Sequence, residues 1–171
     1  MTKIFIFSTQ VGSVNLEEFK EFVDSLPSDF VVRTSGSHGL DTLAIKAKCK
    51  KEVFIPWQNF NNYKTLSGDE NTKIKCPPVT PEALSILDAF VFGKLKEKFK
   101  KIDNRLVYGI LGKKLKDPVD FVIINNKSSK ELPTTSSALV ERIAENEDIP
   151  TFNLNYMSIE DLKVKLNIKT L

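Results

Sequence analysis

One short segment of the sequence, Thr34-Ser-Gly-Ser-His-Gly39, combines the residue types that proteins use to bind phosphate. Gly36 and Gly39 lack a Cβ atom and therefore let the backbone approach a bound group closely. Ser35, Ser37 and the free amides of a helix that starts after them are donors for an anion. The segment predicts a phosphate-binding loop, and the alternative interpretation is an ordinary turn between a strand and a helix.

A second group of side chains that could recognise a ligand follows later in the chain. The flat ring of Trp57 can stack on a nucleobase, which stabilises binding by about 1–3 kcal/mol, and Asn61 offers an amide to a base or a ribose. The alternative is that Trp57 and Phe60 cover the edge of the core beneath a long loop. Asp41, at the start of a predicted helix, is typical of a cap or a dipole partner, and its alternative role is a contact to a ribose hydroxyl.

The composition excludes several kinds of chemistry. With 171 residues, of which 41% are hydrophobic and 27% charged, the chain can bury a core without disulfides or metals. His38 is its single histidine, which argues against histidine metal clusters and Ser-His-Asp catalysis, and we interpret it as a loop residue. Cys49 and Cys76 are too few for a disulfide framework. We therefore expect no metal site.

The apolar runs of the sequence are short. None approaches the roughly 20 residues that a membrane-spanning helix needs, and the N-terminus does not resemble a secretory signal. We therefore expect one domain in the cytoplasm, with no membrane partner.

Lysines are concentrated in one part of a chain whose net charge is only +3. The run Lys94–Lys101 crowds the end of a predicted helix, and Lys113–Lys116 follows. Cations at a helix C-terminus interact favourably with the helix dipole, so a solvated helix end is one interpretation. The other is a surface over Lys94–Lys116 that binds nucleic acid or docks a protein.

Strand patterns alternate with helix patterns along the chain. Continuous apolar runs such as Lys3–Phe7 are typical of strands that are buried on both faces of a parallel sheet. The predicted strands are Lys3–Phe7, Phe30–Arg33, Glu52–Pro56, Val119–Ile124 and Ile149–Asn153. The predicted helices start after Asn15, cover Leu40–Lys50, run from Pro81 to Phe99, cover Ala138–Asn146 and start after Ser158. The aromatic residues expected in the core stripes of these helices are Phe19, Phe22, Phe90 and Phe99.

This order predicts an α/β fold: a single domain with an open parallel sheet and helices on both faces. Residues 57–81 are predicted to form a long irregular excursion. In such a sheet, ligands bind beyond the carboxyl ends of the strands. The loops at that edge are Ser8–Ser13, Thr34–Gly39, Trp57–Asn62 and Asn125–Ser137, and we expect the second to hold the ligand.

Five segments of the chain occur in an order that a known family shares. Residues Val31–Asp41 are similar to a hydrophobic strand followed by Ser-Gly-Gly-Ala-x-Gly-Ala-Asp. Glu52–Asn61 is similar to a strand with Pro-Trp-x-x-Phe-Asn, and Arg105–Gly112 is similar to Arg-Asn-x-x-Gln-x-Leu-Gly. Asp117–Ile124 is similar to the strand before a last glycine-rich loop, and Ile149–Leu154 is similar to Ile-Pro-Val-Phe-Asn-Leu. The chain thus resembles the DprA/LOG-like (SLOG) Rossmann superfamily, and within it the small phage-encoded DprA-like proteins. The resemblance implies a Rossmann-like fold and a nucleotide ligand.

The same resemblance implies further ligand contacts. The family's Gly-Gly-Thr phosphate loop corresponds here to Pro133-Thr-Thr-Ser-Ser137, which contains no glycine. In it Thr134, Thr135 and Ser136 would form a second anion contact. Ser8 begins the first loop and is a further candidate ligand contact, although that loop lacks the family's Gly-Ser-Arg.

The LOG branch of this superfamily cleaves the N-glycosidic bond of nucleoside monophosphates. By that likeness Arg105 would contact phosphate and Glu141 would be the acid–base residue. The chain has only seven glycines, and the loss of glycine from the phosphate loop favours binding over catalysis.

We therefore expect a protein that binds or sequesters a small mono- or dinucleotide, with no cofactor other than that ligand. Three alternatives remain: single-stranded nucleic-acid binding of the DprA type, nucleotide hydrolysis of the LOG type, and a protein-binding module with a vestigial pocket. A homo-oligomer or a protein partner is compatible with each of them.

Overall fold

In the described residues, six parallel strands form one sheet. The computed structural model describes residues 1–9, 11–63, 69–91, 93–127 and 130–168. The strands are β1 (Lys3–Phe7), β2 (Val31–Thr34), β3 (Lys50–Phe54), β4 (Thr72–Lys75), β5 (Phe121–Ile124) and β6 (Thr151–Asn153). Their order is β4-β3-β2-β1-β5-β6, and every neighbouring pair is parallel. The predicted parallel α/β sheet, a Rossmann-like arrangement in one domain, is confirmed.

Helices connect the strands. They are α1 (Leu16–Asp24), α2 (Leu40–Ala44), α3 (Pro81–Phe90), α4 (Glu97–Leu111), α5 (Ser136–Asn146) and α6 (Ile159–Lys165), with a 3-10 turn at Phe60–Asn62. Across the described ranges, no helix combines the length and the apolar composition that a bilayer crossing requires.

Three helices start at the capping residues that the sequence predicts. The side chain of Asn15 accepts hydrogen bonds from the first-turn amides of α1. Thr80 caps α3, with Pro81 at the first helical position, and Ser158 forms a capping box with Asp161 at α6. Each such cap stabilises its helix by about 1 kcal/mol, since it satisfies amides that lack an acceptor within the helix.

Helices cover both faces of the sheet. On one face, Ile4 of β1 packs with Phe19 of α1. On the other face, Phe5 packs with Leu106 of α4 and Leu139 of α5. Because successive side chains of a strand point to opposite faces, both faces of β1 are buried, which explains its continuous apolar sequence.

The predicted irregular excursion over residues 57–81 contains a strand. β4 pairs with β3 at the edge of the sheet. It carries Lys73 and Lys75 on either side of Ile74, so it lacks the apolar run by which the other strands are recognised. Charged side chains suit an edge strand because they discourage pairing with another chain. Gly68, also in the predicted excursion, lies outside the described residues.

The helix predicted over Leu40–Lys50 is shorter than expected. It ends at Ala44, and β3 begins at residue 50. The buried Lys51 donates from Nζ to the carbonyl oxygen of Ala47 at 2.7 Å. Lys50 pairs with Val31 of β2, and this long-range strand pairing is what the local helical pattern does not show.

The helix predicted from Pro81 to Phe99 is in fact two helices, α3 and α4. Gly93 lies between them with φ of +80°, a left-handed conformation that commonly follows a helix C-terminus. Phe99, expected in the core, is 49% exposed in the first turn of α4.

Candidate functional site

The sheet reverses its strand order between β1 and β5. From β1 the chain continues to β2, β3 and β4 on one side, whereas β5 and β6 lie on the other. The connections that follow β1 and β5 therefore diverge, and open α/β sheets bind ligands in the crevice that such divergence leaves at the carboxyl ends.

A crevice of about 400 Å³ lies at this position, and we call it the switch crevice. Its lining residues are Thr9, Asn126, Lys127, Leu132 and 134–137. Hydroxyl groups, amides and one lysine predominate, so the crevice is suited to a polar or anionic ligand. Thr134, Thr135 and Ser136, which the sequence predicted as anion contacts, all lie in it.

The first turn of α5 supplies the amides of the switch crevice. Thr135 caps the helix, and its Oγ1 accepts a hydrogen bond from the amide of Ala138 at 3.1 Å. The amides of Ser136 and Ser137 precede the point where α-helical hydrogen bonding begins, so they have no acceptor within the helix. The positive end of the helix dipole and Lys127 both favour an anion here.

Hydrogen bonds between the loops after β1 and β5 hold the wall of the crevice. Ser8 Oγ donates to the carbonyl oxygen of Asn125 at 2.9 Å, and Asn125 Nδ2 donates to the carbonyl oxygen of Val11 at 2.5 Å. Gly12 has φ of +56°, and a Cβ atom at this position would lie 3.1 Å from Asn125 Nδ2. Ser8, a predicted ligand contact, is 1% exposed and joins the two loops.

The loop after β2, Thr34–Gly39, is organised around the carboxylate of Asp41, and we call it the β2 loop. Asp41 is fully buried. Its Oδ2 accepts from the amide of Ser8 at 3.0 Å, and its Oδ1 accepts from the amide and hydroxyl of Ser35 at 3.0 and 2.6 Å. The amide of Ser37 also donates to Oδ1, at 3.3 Å. Burial raises the pKa of Asp41 above 3.8, and the hydrogen bonds from Ser35 and Ser8 oppose that rise.

Arg105 closes the β2 loop from the side of α4. Its Nε donates to the carbonyl oxygen of Ser35 at 3.0 Å, and one terminal nitrogen donates to Ser37 Oγ at 2.8 Å. The other donates to the carbonyl oxygen of Ile102. Burial lowers the pKa of Arg105 to about 10, and nearby carboxylates oppose that shift. Arg105 thus binds protein oxygens in the position where the sequence predicted a phosphate.

The two glycines of the β2 loop allow this close packing. Gly36 has φ of +65°, and a Cβ atom there would lie 3.0 Å from Ile55 and 3.1 Å from the ring of Tyr63. Asn61, predicted to contact a base, donates from Nδ2 to the carbonyl oxygen of Gly36 at 2.9 Å. Gly39, with φ of +87°, precedes the five-residue helix α2.

Trp57 lies at the rim of the β2 loop. It is 38% exposed and contacts the edge of Phe60 with ring centroids 5.3 Å apart. The guanidinium of Arg105 lies over the Phe60 ring at 5.1 Å. Phe60 therefore covers the arginine, and Trp57 presents the accessible aromatic surface.

The two residues predicted to do chemistry are not in the switch crevice. Arg105, on α4, is 3% exposed and packs against the β2 loop. Glu141, one and a half turns into α5, does not line the crevice. The sequence analysis missed Asp103, which is 8% exposed and accepts a hydrogen bond from Ser136 Oγ at 3.1 Å. It also missed Lys127, although a lysine three residues after the apolar strand β5 was a signal that could have identified it.

The lysines of the predicted surface over Lys94–Lys116 form two groups at opposite ends of α4. Lys94–Lys101 surrounds the N-terminus of α4, not the C-terminus of a helix as predicted. This end lies near the switch crevice, because Leu95 lines a space that shares residues 134–136 with the crevice. Lys113–Lys116 follows the C-terminus, where Asp117 pairs with Lys3 at the start of β1. The 15-residue helix separates the two groups by roughly 22 Å.

The comparisons with known proteins identify no family. Within the described ranges, no cluster of three or more histidine, cysteine, aspartate or glutamate side chains could hold a metal ion. The chain matches no protein-family model, no curated protein and no solved structure.

Proposed function

We propose that the chain binds a small phosphorylated molecule, and specifically a nucleotide, in the switch crevice. The observation that carries this proposal is the first turn of α5, where Ser136 and Ser137 line the crevice together with Lys127. A phosphate at this position would accept hydrogen bonds from amides that have no acceptor within the helix, and the helix dipole would stabilise its charge.

The size of the crevice supports a ligand larger than inorganic phosphate. Its volume of about 400 Å³ lies within the range of roughly 300–1,000 Å³ that is typical of small-molecule sites. The resemblance to the DprA/LOG-like superfamily supports a nucleotide, because the segment that corresponds to its phosphate loop, Pro133–Ser137, is the segment at this crevice. Two separate arguments thus lead to the same residues.

Binding or sequestration fits the site better than hydrolysis. The resemblance assigned chemistry to Arg105 and Glu141, but Arg105 is occupied by protein oxygens and Glu141 lies outside the crevice lining. The separation of the two lysine groups likewise favours a small ligand over an extended nucleic-acid strand, since only Lys94–Lys101 lies near the crevice.

Calorimetry with a panel of nucleoside monophosphates, diphosphates and dinucleotides tests the proposal on three proteins. The first is wild type, and the second is Thr134→Glu, which places a carboxylate at the exposed start of the crevice. That carboxylate would compete with a ligand phosphate for the first-turn amides of α5, so we expect affinity to fall about tenfold. The third is Thr134→Gln, a matched control of the same size that also loses the hydroxyl but adds no charge, so it should bind several-fold more tightly than Thr134→Glu.

Two results would overturn the proposal. One is that no member of the panel binds wild type. The other is that Thr134→Glu and Thr134→Gln bind equally well, which would place the phosphate away from α5. An affinity that falls steeply with salt and is measurable only for oligonucleotides would instead support a nucleic-acid strand, since such binding depends on counterion release.

A further inference from the structure

A small cavity adjoins the switch crevice. It has a volume of about 80 Å³ and shares residues 134–136 with the crevice, so the two spaces lie side by side along the first turn of α5. Its apolar walls include Val91, Leu95 and Leu139, and its polar wall includes the acidic side chain of Asp103 and the cationic side chain of Arg142. The Nε of Arg142 donates to the carbonyl oxygen of Phe90 at 2.9 Å.

The carboxylate of Asp103 is incompletely satisfied. The residue is 8% exposed, and its Oδ1 accepts a hydrogen bond from Ser136 Oγ at 3.1 Å. Oδ2 has no hydrogen-bond partner in the part of the chain that the structure describes. An ionised carboxylate offers about four acceptor positions, and Asp103 lines the cavity, so the positions that no described residue fills can be reached from there. A donor from outside the chain would therefore be stabilising in this cavity.

The chemistry of the cavity selects the kind of donor. The carboxylate of Asp103 repels a phosphate next to it, whereas the α5 amides attract one, so the phosphate is placed at the amides and a neutral donor at Asp103. The volume corresponds to about two or three water molecules, which is too small for a nucleobase and enough for hydroxyl groups. Carbon atoms that carry such hydroxyls would contact the apolar walls.

We propose that Asp103 determines specificity by accepting a hydrogen bond from a sugar hydroxyl of a ligand whose phosphate lies at α5. This inference rests on the proposed function, which supplies the phosphate position. It identifies the ligand class as polyhydroxylated phosphates, such as ribose phosphates and the nucleotides that contain them. Ser136 acts as a positioning residue, because its hydroxyl holds Asp103 Oδ1.

A matched pair of phosphates tests the inference. Glycerol 3-phosphate and propyl phosphate share a phosphate and three carbons and differ in two hydroxyl groups, and ribose 5-phosphate provides a third probe. We expect wild type to bind the two hydroxylated probes about tenfold more tightly than propyl phosphate, as for a hydrogen bond to a charged group. Asp103→Asn should lose most of this preference and keep its affinity for propyl phosphate. Asp88→Asn, on the exposed surface of α3, removes the same charge and should keep the preference.

The outcomes distinguish the two proposals. If wild type binds none of the probes and no nucleotide, the proposed function is wrong and the inference with it. If wild type binds propyl phosphate and glycerol 3-phosphate equally, only the inference is wrong, and this result requires no variant to fold. An unchanged preference in a folded Asp103→Asn protein would also overturn it.

Discussion

The β2 loop and the first turn of α5 carry similar residues, small hydroxyl side chains next to the start of a helix, but the structure surrounds them differently. In the β2 loop, Ser35 and Ser37 are 0% and 5% exposed, and Asp41 and Arg105 engage them. At α5, Thr134 is exposed beside a crevice of about 400 Å³. One region is closed by the protein's own charges, and the other is open to a ligand.

This comparison shows that residue type alone does not make an anion site. The groups that close the β2 loop come from elsewhere in the sequence: Arg105 Nε bonds the carbonyl oxygen of a residue 70 positions earlier. Asp41 takes the place of the anion, and Arg105 takes the place of a cation that would balance it. A donor is available to a ligand only where no such partner reaches it.

Removal of the Asp41 carboxylate from the β2 loop is expected to cause the largest change in the free energy of unfolding. Asp41→Ala would leave the amides of Ser8 and Ser35 buried without an acceptor, and it would remove one of the two carboxylates whose charge stabilises Arg105, the other being Asp103. We expect the free energy of unfolding to fall by about 3–5 kcal/mol, as when one partner of a buried charged network is removed. Chemical denaturation measures this change.

Asp29→Ala is a suitable control, because Asp29 is an exposed residue in the turn before β2. It should change the free energy of unfolding by less than about 0.5 kcal/mol. A loss below about 1 kcal/mol in Asp41→Ala would show that the β2 loop closes without its carboxylate.

The fold follows from sequence where the signal is local. The apolar runs of β1 and β5 predict buried parallel strands because both faces of each strand meet helices. Edge strand β4 and the early start of β3 depend on strand pairing that the local sequence does not show: β4 is charged and pairs with β3, and Lys50 and Lys51 pair with β2. The break between α3 and α4 did have a local signal, Gly93.

The candidate site is predicted only in part. Thr134, Thr135 and Ser136 follow from the family resemblance and lie in the switch crevice. The β2 loop was favoured because its glycines and serines match a phosphate loop, and its closure by Arg105 is a tertiary contact. Asp103 has no local signal, since its position beside Ser136 arises from the packing of α4 on α5.

The second prediction separates the structural role of Arg105 from a role in phosphate binding. Arg105→Lys keeps the charge, but one ammonium cannot reach the oxygens of Ser35, Ser37 and Ile102 together. We expect the free energy of unfolding to fall by about 2 kcal/mol, while nucleotide affinity stays within about twofold of wild type. Arg142→Lys, at a partly exposed arginine of α5, controls for the exchange and should lose less than about 1 kcal/mol of stability.

An Arg105→Lys protein that is as stable as wild type but binds nucleotide tenfold more weakly would reverse this assignment. It would show that Arg105 contacts the phosphate, as the resemblance implies, and that the β2 loop opens when the ligand binds.

The smallest predicted effect is a pH dependence of stability that comes from Asp103, one of the two buried carboxylates Asp41 and Asp103. Among the described residues, Asp41 accepts four hydrogen bonds, whereas Asp103 accepts one. Burial raises the pKa of Asp103 above 3.8, and the hydrogen bond from Ser136 and the charge of Arg105 oppose that rise. The folded state therefore holds the Asp103 proton more tightly than the unfolded state does. The stability from this group is fully present below pH 3.8 and is lost as the pH rises through the folded-state pKa.

Urea denaturation of wild type and Asp103→Asn across this pH range measures the effect, because the variant lacks the titrating group. We expect the difference in unfolding free energy, wild type minus variant, to decrease as the pH rises and then to become constant. A difference that grows with pH would mean that Arg105 and the α5 dipole outweigh burial. Asp103 would then be a carboxylate that the protein itself satisfies, with no need of a donor from a ligand.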